Sequence, residues 1–220
     1  MDKNLKGIEL LQEGKLEEAV KMFTEAIEEN PHEPVAYINF ANVLMSVGDH
    51  ERAITFLERA IGLDENAPAA YYSLGTLYYN QGEMEKAKDA FEKAMSKGMD
   101  NADVFFMLGT TLFQLEQPKF AIPYLQRSVE LNPEDTEARF QLGLCLAKVE
   151  AYEESIRHLH QVIEQDPNHA DAYYNLGVAY AGVKDDAEQA LEYFNKALDI
   201  QPDHMLAGYG KKMIDKLLEQ

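Results

Sequence analysis

Apolar and polar positions alternate along this chain with helical spacing in short, regularly repeated runs. In one stretch Leu74 and Tyr78, four apart, and then Ala87, Phe91 and Ala94, four and three apart, recur at helical spacing on either side of Gln81-Gly82-Glu83. The pattern predicts two amphipathic helices joined by a tight break. Gly14, Gly48 and Gly82 supply such breaks, where a positive φ costs glycine little.

The same pattern returns every 34 residues. Gly7, Ala41, Gly75, Gly109, Gly143 and Gly177 form one column, and Ala19, Ala53, Ala87, Ala121 and Ser155 form a second. A third holds large residues: Phe23, Leu57, Phe91, Leu125, Leu159 and, after one extra residue, Phe194. A methyl group or less suits a place where two helices come close, and the large column fills the space between pairs. No single helix pair can bury its apolar face alone, so the pairs must stack.

The segments AYYSLGTLYYNQGEMEKAKDAFEKAM and AYYNLGVAYAGVKDDAEQALEYFNKALDIQP resemble tetratricopeptide repeats (TPRs). The likeness rests on the aromatic column Tyr37, Tyr71, Phe105 and Tyr173, on the Leu-Gly pairs, and on the Ala…Phe…Ala spacing. It implies an all-α fold, a right-handed superhelical solenoid of six helix-turn-helix units followed by a C-terminal capping helix. The expected units are 2–33, 34–67, 68–101, 102–135, 136–169 and 170–204, with the capping helix at 205–220. It also implies a concave groove lined by the first helix of each unit, and a role in holding protein segments rather than in catalysis.

Departures from the pattern carry information. Lys3 and Lys6 replace an aromatic residue and a leucine in the first unit, as suits a terminal unit with nothing before it. Arg139 interrupts the aromatic column. Pro68 and Pro118 fit first positions of helices, Gly98 fits a left-handed helix end, and Pro123 removes a hydrogen bond inside a helix. After Pro202, the residues Leu206, Tyr209, Met213, Ile214 and Leu217 predict one apolar stripe that shields the last unit.

Composition narrows the function. Lys and Arg number 20 against 39 Asp and Glu, a net charge of −19, with Lys211, Lys212 and Lys216 the one small basic cluster. Nucleic acid and anionic membranes are poor partners for such a chain. The single cysteine, Cys145, cannot form an internal disulfide, and no signal peptide or membrane span is read, so a cytoplasmic location is expected. Cys145 sits between Leu144 and Leu146 and reads as a buried, inert thiol. No catalytic motif occurs, and His158 and His160 fall on different helix faces, so neither catalytic nor metal-binding residues, nor a cofactor, are expected.

The positions expected to face the groove are Asn39, Asn42, Tyr72, Thr76, Tyr79, Phe106, Thr110, Phe113, Phe140, Tyr174 and Asn175. Aromatic rings there offer large contact area, and amides can satisfy the backbone of an extended ligand. TPR domains that clamp a terminal carboxylate use basic residues in these columns, and the six units have none. Asp103, Glu137 and Asp171 instead recur at the starts of first helices, where they offset helix dipoles and form an acidic rim. The sequence therefore points to a non-enzymatic adaptor or scaffold for an apolar, basic rather than acidic, protein segment. Homo-oligomerisation through the capping helix or the groove is the alternative.

Overall fold

The structure is a computed structural model and describes residues 2–219. Thirteen α-helices and no strands occur among the described residues. In order they are α1 (Lys3–Gln12), α2 (Leu16–Glu29), α3 (Pro34–Ser46), α4 (His50–Leu63), α5 (Pro68–Asn80), α6 (Met84–Ser96), α7 (Ala102–Gln114), α8 (Pro118–Leu131), α9 (Thr136–Lys148), α10 (Tyr152–Gln165), α11 (Ala170–Gly182), α12 (Ala187–Ile200) and α13 (Met205–Leu218). The chain divides into two compact units, Met1–Thr111 and Leu112–Gln220. In each, consecutive helices pack on one another, α1 through α6 in the first unit and α8 through α13 in the second.

The small and large columns meet as pairs. A Cβ added to Gly7, Gly75 or Gly177 would lie 2.6 Å from the ring of Phe23, Phe91 or Phe194 respectively. Leu159 takes the same place beside Gly143 at 3.2 Å. These large side chains are among the most deeply buried in the protein, alongside Ala19, Ala53, Ala87 and Ala190.

Helix ends follow from local chemistry. Pro34, Pro68 and Pro118 open α3, α5 and α8, where the missing N–H would have no helical partner. Asp2, Asp49, Asp135 and Asp186 accept backbone N–H bonds at the starts of α1, α4, α9 and α12. The breaks at Gly14, Gly48 and Gly82 all have positive φ. Glu116 and Glu150 continue that column with φ of 57° and 65° despite their side chains. Pro123 lies inside α8, which runs on through it. Lys3 pairs with Glu25 and Glu29 across the open face of α1 and α2.

The last helix differs from expectation. Of the predicted stripe only Ile214 is buried, while Leu206, Tyr209, Met213 and Leu217 are exposed. The face packed against α12 is Ala207, Gly210 and Ile214, one residue further along and so rotated by about 100°. The reason is close approach: a Cβ on Gly210 would sit 2.7 Å from Phe194, so only the small-residue face can reach that ring.

Candidate functional site

In the first unit, Tyr72 and Tyr79 on α5 and Phe106 on α7 are half-buried. The Tyr72 ring lies 5.6 Å from that of Phe91. Burial, and next the negative charge of Asp103, push its phenol pKa up, so the hydroxyl stays protonated. Thr76 donates to the carbonyl of Tyr72 at 3.1 Å and Thr110 to that of Phe106 at 2.9 Å, so both hydroxyls serve their own helices. Asn42 is exposed, whereas Asn39 donates to the Asn4 side chain at 3.2 Å. Asn4 and Asn39 help to line a polar hollow of about 410 Å³ among α1, α2 and α3, with Leu5, Ile8 and Val35 at its apolar edge.

In the second unit, Phe140 is only 7% exposed and packs at 4.5 Å on the ring of His169. It belongs to the core beside Leu159 and Leu176 rather than to an open face. Phe113 is half-buried. Tyr174 is held between Phe194, at 6.1 Å, and His204, at 5.2 Å. Asn175 donates to the carbonyl of Asp171 at 2.8 Å. Glu137 is exposed and accepts from Gln141 at 2.8 Å. Asp171 accepts from the ring of His204 at 3.1 Å, yet its side chain is still largely open to solvent.

A mainly apolar hollow of this unit opens between α9 and α11. It holds about 240 Å³ and is lined by Leu144 and Ala147 from α9 and by Asn175, Val178 and Ala179 from α11. Tyr152, at the start of α10, and Val183, just beyond α11, close its edge. Val178 is 45% exposed. Leu144, Ala147 and Val178 fall in the groove-facing columns of the sequence, but none is aromatic, so ring content did not single them out. Tyr152 and Val183 lie outside those columns, and no periodic signal points to them.

Reactive chemistry is sparse. The Cys145 thiol is buried and its pKa is pushed up to about 12 by desolvation, which keeps it protonated and unreactive. Among the described residues no group of three His, Cys, Asp or Glu side chains is set to hold a metal ion. No described helix is long and apolar enough to cross a membrane.

Models of the tetratricopeptide repeat match residues 10–74, 44–108 and 148–204. A solved structure of YrrB aligns at 56% identity over 86% of this chain and 97% of that one, with a TM-score of 0.81. The chain belongs to the tetratricopeptide repeat family. YrrB is described with its structure as a TPR protein with an unusual peptide-binding site. The curated TPR repeat-containing protein YrrB of Bacillus subtilis (strain 168) is 55% identical over 39 residues, a stretch that spans 19% of its length. MamA is 26% identical over 78% of this TPR chain and 93% of its own, with a TM-score of 0.72. A further model, of anaphase-promoting complex, cyclosome, subunit 3, matches residues 89–162.

Proposed function

We propose that this TPR protein is a non-enzymatic adaptor that holds a protein segment against its first helices. The observation that carries this is the open apolar hollow between α9 and α11, with Val178 exposed and Leu144 half-buried beside the Asn175 amide. An apolar side chain of the ligand fills that hollow, because releasing water from such a surface is favourable. The peptide-binding site ascribed to YrrB, at more than half identity, supports the same reading. In the first unit, Tyr72, Tyr79 and Phe106 offer partly open rings for further contact.

The ligand we infer is apolar, with basic residues. Glu137 and Asp171 keep exposed carboxylates near the hollow, and Asp103 is exposed on the first unit. A net charge of −19 adds a long-range preference for cationic segments. Self-association is the second reading, favoured by the exposed apolar side chains of α13.

Capture from the source cell tests the first reading. Wild-type protein and the outer-face variant Glu18→Gln should retain the same partner, and Val178→Glu should lose it. Retention by Val178→Glu would place the contact elsewhere.

A further inference from the structure

Helix α13 repeats α11 with a shift of 35 residues. His169 and His204 each cap their helix, the Nδ1 atom accepting the N–H three residues on, from Ala172 and Ala207, both at 3.2 Å. Ala172 and Ala207 are both fully buried. His204 also bonds Asp171, which ties the start of α13 to the start of α11. That register puts Leu206 where α11 has Asp171, Tyr209 where it has Tyr174, Met213 where it has Val178, and Lys216 where it has Ala181.

We propose that α13 is a seventh row of the ligand-binding face, and that it takes a protein segment whose apolar anchors are followed by an acidic residue. This rests on the reading that α9 and α11 hold a segment. The stripe of Leu206, Tyr209 and Met213 is more than half exposed along its length, so it continues the apolar surface of Val178. The charge changes at the same place. The acidic rim of Glu137 and Asp171 ends in Leu206, and the lysines of the chain's one basic cluster begin. Lys211 donates to Asn195 at 2.7 Å, whereas Lys212 and Lys216 are exposed; Lys216 falls in the groove register, and Lys212, where α11 has Gly177, stands at the edge of the stripe beside Tyr209. A carboxylate on the ligand complements them, while the basic residues complement Glu137 and Asp171.

The other occupants fit less well. A second copy pairing through α13 alone would use one face of a 14-residue helix, about 21 Å long, well short of the roughly 800 Å² per partner of a standard interface. An anionic membrane would meet the lysines but be repelled by a chain of net charge −19.

Selection from a randomised phage library tests this. Peptides about twelve residues long suffice, since an extended chain covers ~3.3 Å per residue. Wild-type protein should enrich peptides with apolar anchors and an Asp or Glu at a fixed distance from them. Synthetic copies should bind Lys212→Glu/Lys216→Glu about tenfold more weakly, and Leu206→Ser/Met213→Ser as weakly. The charge-reversed variant should enrich peptides that lack the acid. If both proteins enrich the same acid-free peptides, and Val178→Glu abolishes their binding, the seventh row is wrong while the underlying site stands. If Val178→Glu binds normally and the acid preference persists, the underlying site is wrong and α13 binds alone. No enrichment at all overturns both. A dimer by light scattering, or pelleting with vesicles containing 30% phosphatidylserine, that disappears in Leu206→Ser/Met213→Ser would overturn the choice of occupant.

Discussion

The guanidinium of Arg139 donates to the carbonyl of Pro133 at 2.8 Å, the contact that the Tyr37 hydroxyl makes with Pro31 at 3.0 Å. In both cases the acceptor is six residues upstream, in the turn before the helix. Tyr71 reaches Glu65 in the same way at 3.4 Å. Arg139 thus takes over the polar end of the aromatic column, and its other nitrogens bond Gln161 and Gln165 on α10 at 2.8 and 3.2 Å. The side chain is buried, whereas Pro133, Gln161 and Gln165 are exposed, and Gln165 donates to the Pro133 carbonyl as well, at 3.0 Å. Arg139→Met should cost on the order of 0.5–1.5 kcal/mol, the net worth of bonds whose partners turn to water or to each other. Arg139→Tyr should cost less, because it restores the bond to Pro133. Urea unfolding of both variants checks this; equal losses would mean that the upstream contact contributes nothing.

Two glycines should respond in opposite directions. Gly75→Ala places a Cβ 2.6 Å from the buried ring of Phe91 and should destabilise by about 1–3 kcal/mol. Gly62 lies inside α4, and a methyl group added there meets nothing within 4 Å, so Gly62→Ala should stabilise by about 0.5–1 kcal/mol. Thermal melts that move the same way for both would undo the assignment of helix faces.

Glu150 occupies the left-handed conformation that Gly14, Gly48 and Gly82 adopt at the same point of their repeats. A side chain there costs roughly 1 kcal/mol or more relative to glycine. Glu150→Gly should therefore raise stability by several tenths of a kcal/mol or more, after the entropy that glycine adds to the unfolded chain. A lower urea midpoint for this variant would contradict that balance.

Acid should weaken the second unit before its carboxylates titrate. Burial lowers the pKa of both His158 and His160, helped at His158 by the positive charges of Arg139 and Arg157. His160 is enclosed by the rings of Tyr180 and Tyr193, at 6.2 and 6.0 Å. A base whose folded pKa is depressed binds its proton more readily when unfolded, so stability is full above the ordinary value of 6.5 and declines as pH falls below it. His160→Gln should flatten the fall in urea midpoint between about pH 7 and pH 5. An unchanged slope would exclude this histidine as a source of the acid sensitivity.

The repeat was legible because its signal is steric and periodic. Gly75 and Phe91, or Gly177 and Phe194, must be small and large at fixed separation whatever the ligand, so the columns reveal the fold. The open face carries no such constraint. Phe140 lies in a groove-facing column, yet the imidazole of His169 covers it, and neither residue alone foretells that contact. On α13 the long apolar side chains suggested a buried stripe, but Ala207 and Gly210 mark the packed face by the same small-residue rule that governs Gly177. Size outweighed apolar character there because Phe194 fills the space.

The central claim is that a protein segment binds the first-helix face between α9 and α11, and affinity measured across that face tests it most directly. With the captured partner segment titrated by calorimetry, Val178→Glu and Leu144→Glu should each weaken binding by on the order of 1–3 kcal/mol, tenfold or more, because a charge replaces an apolar anchor contact. Circular dichroism should show both variants as helical as wild type, and Glu18→Gln should bind normally. Unchanged affinity in both hollow variants, with loss of binding from an outer-face change, would contradict the account.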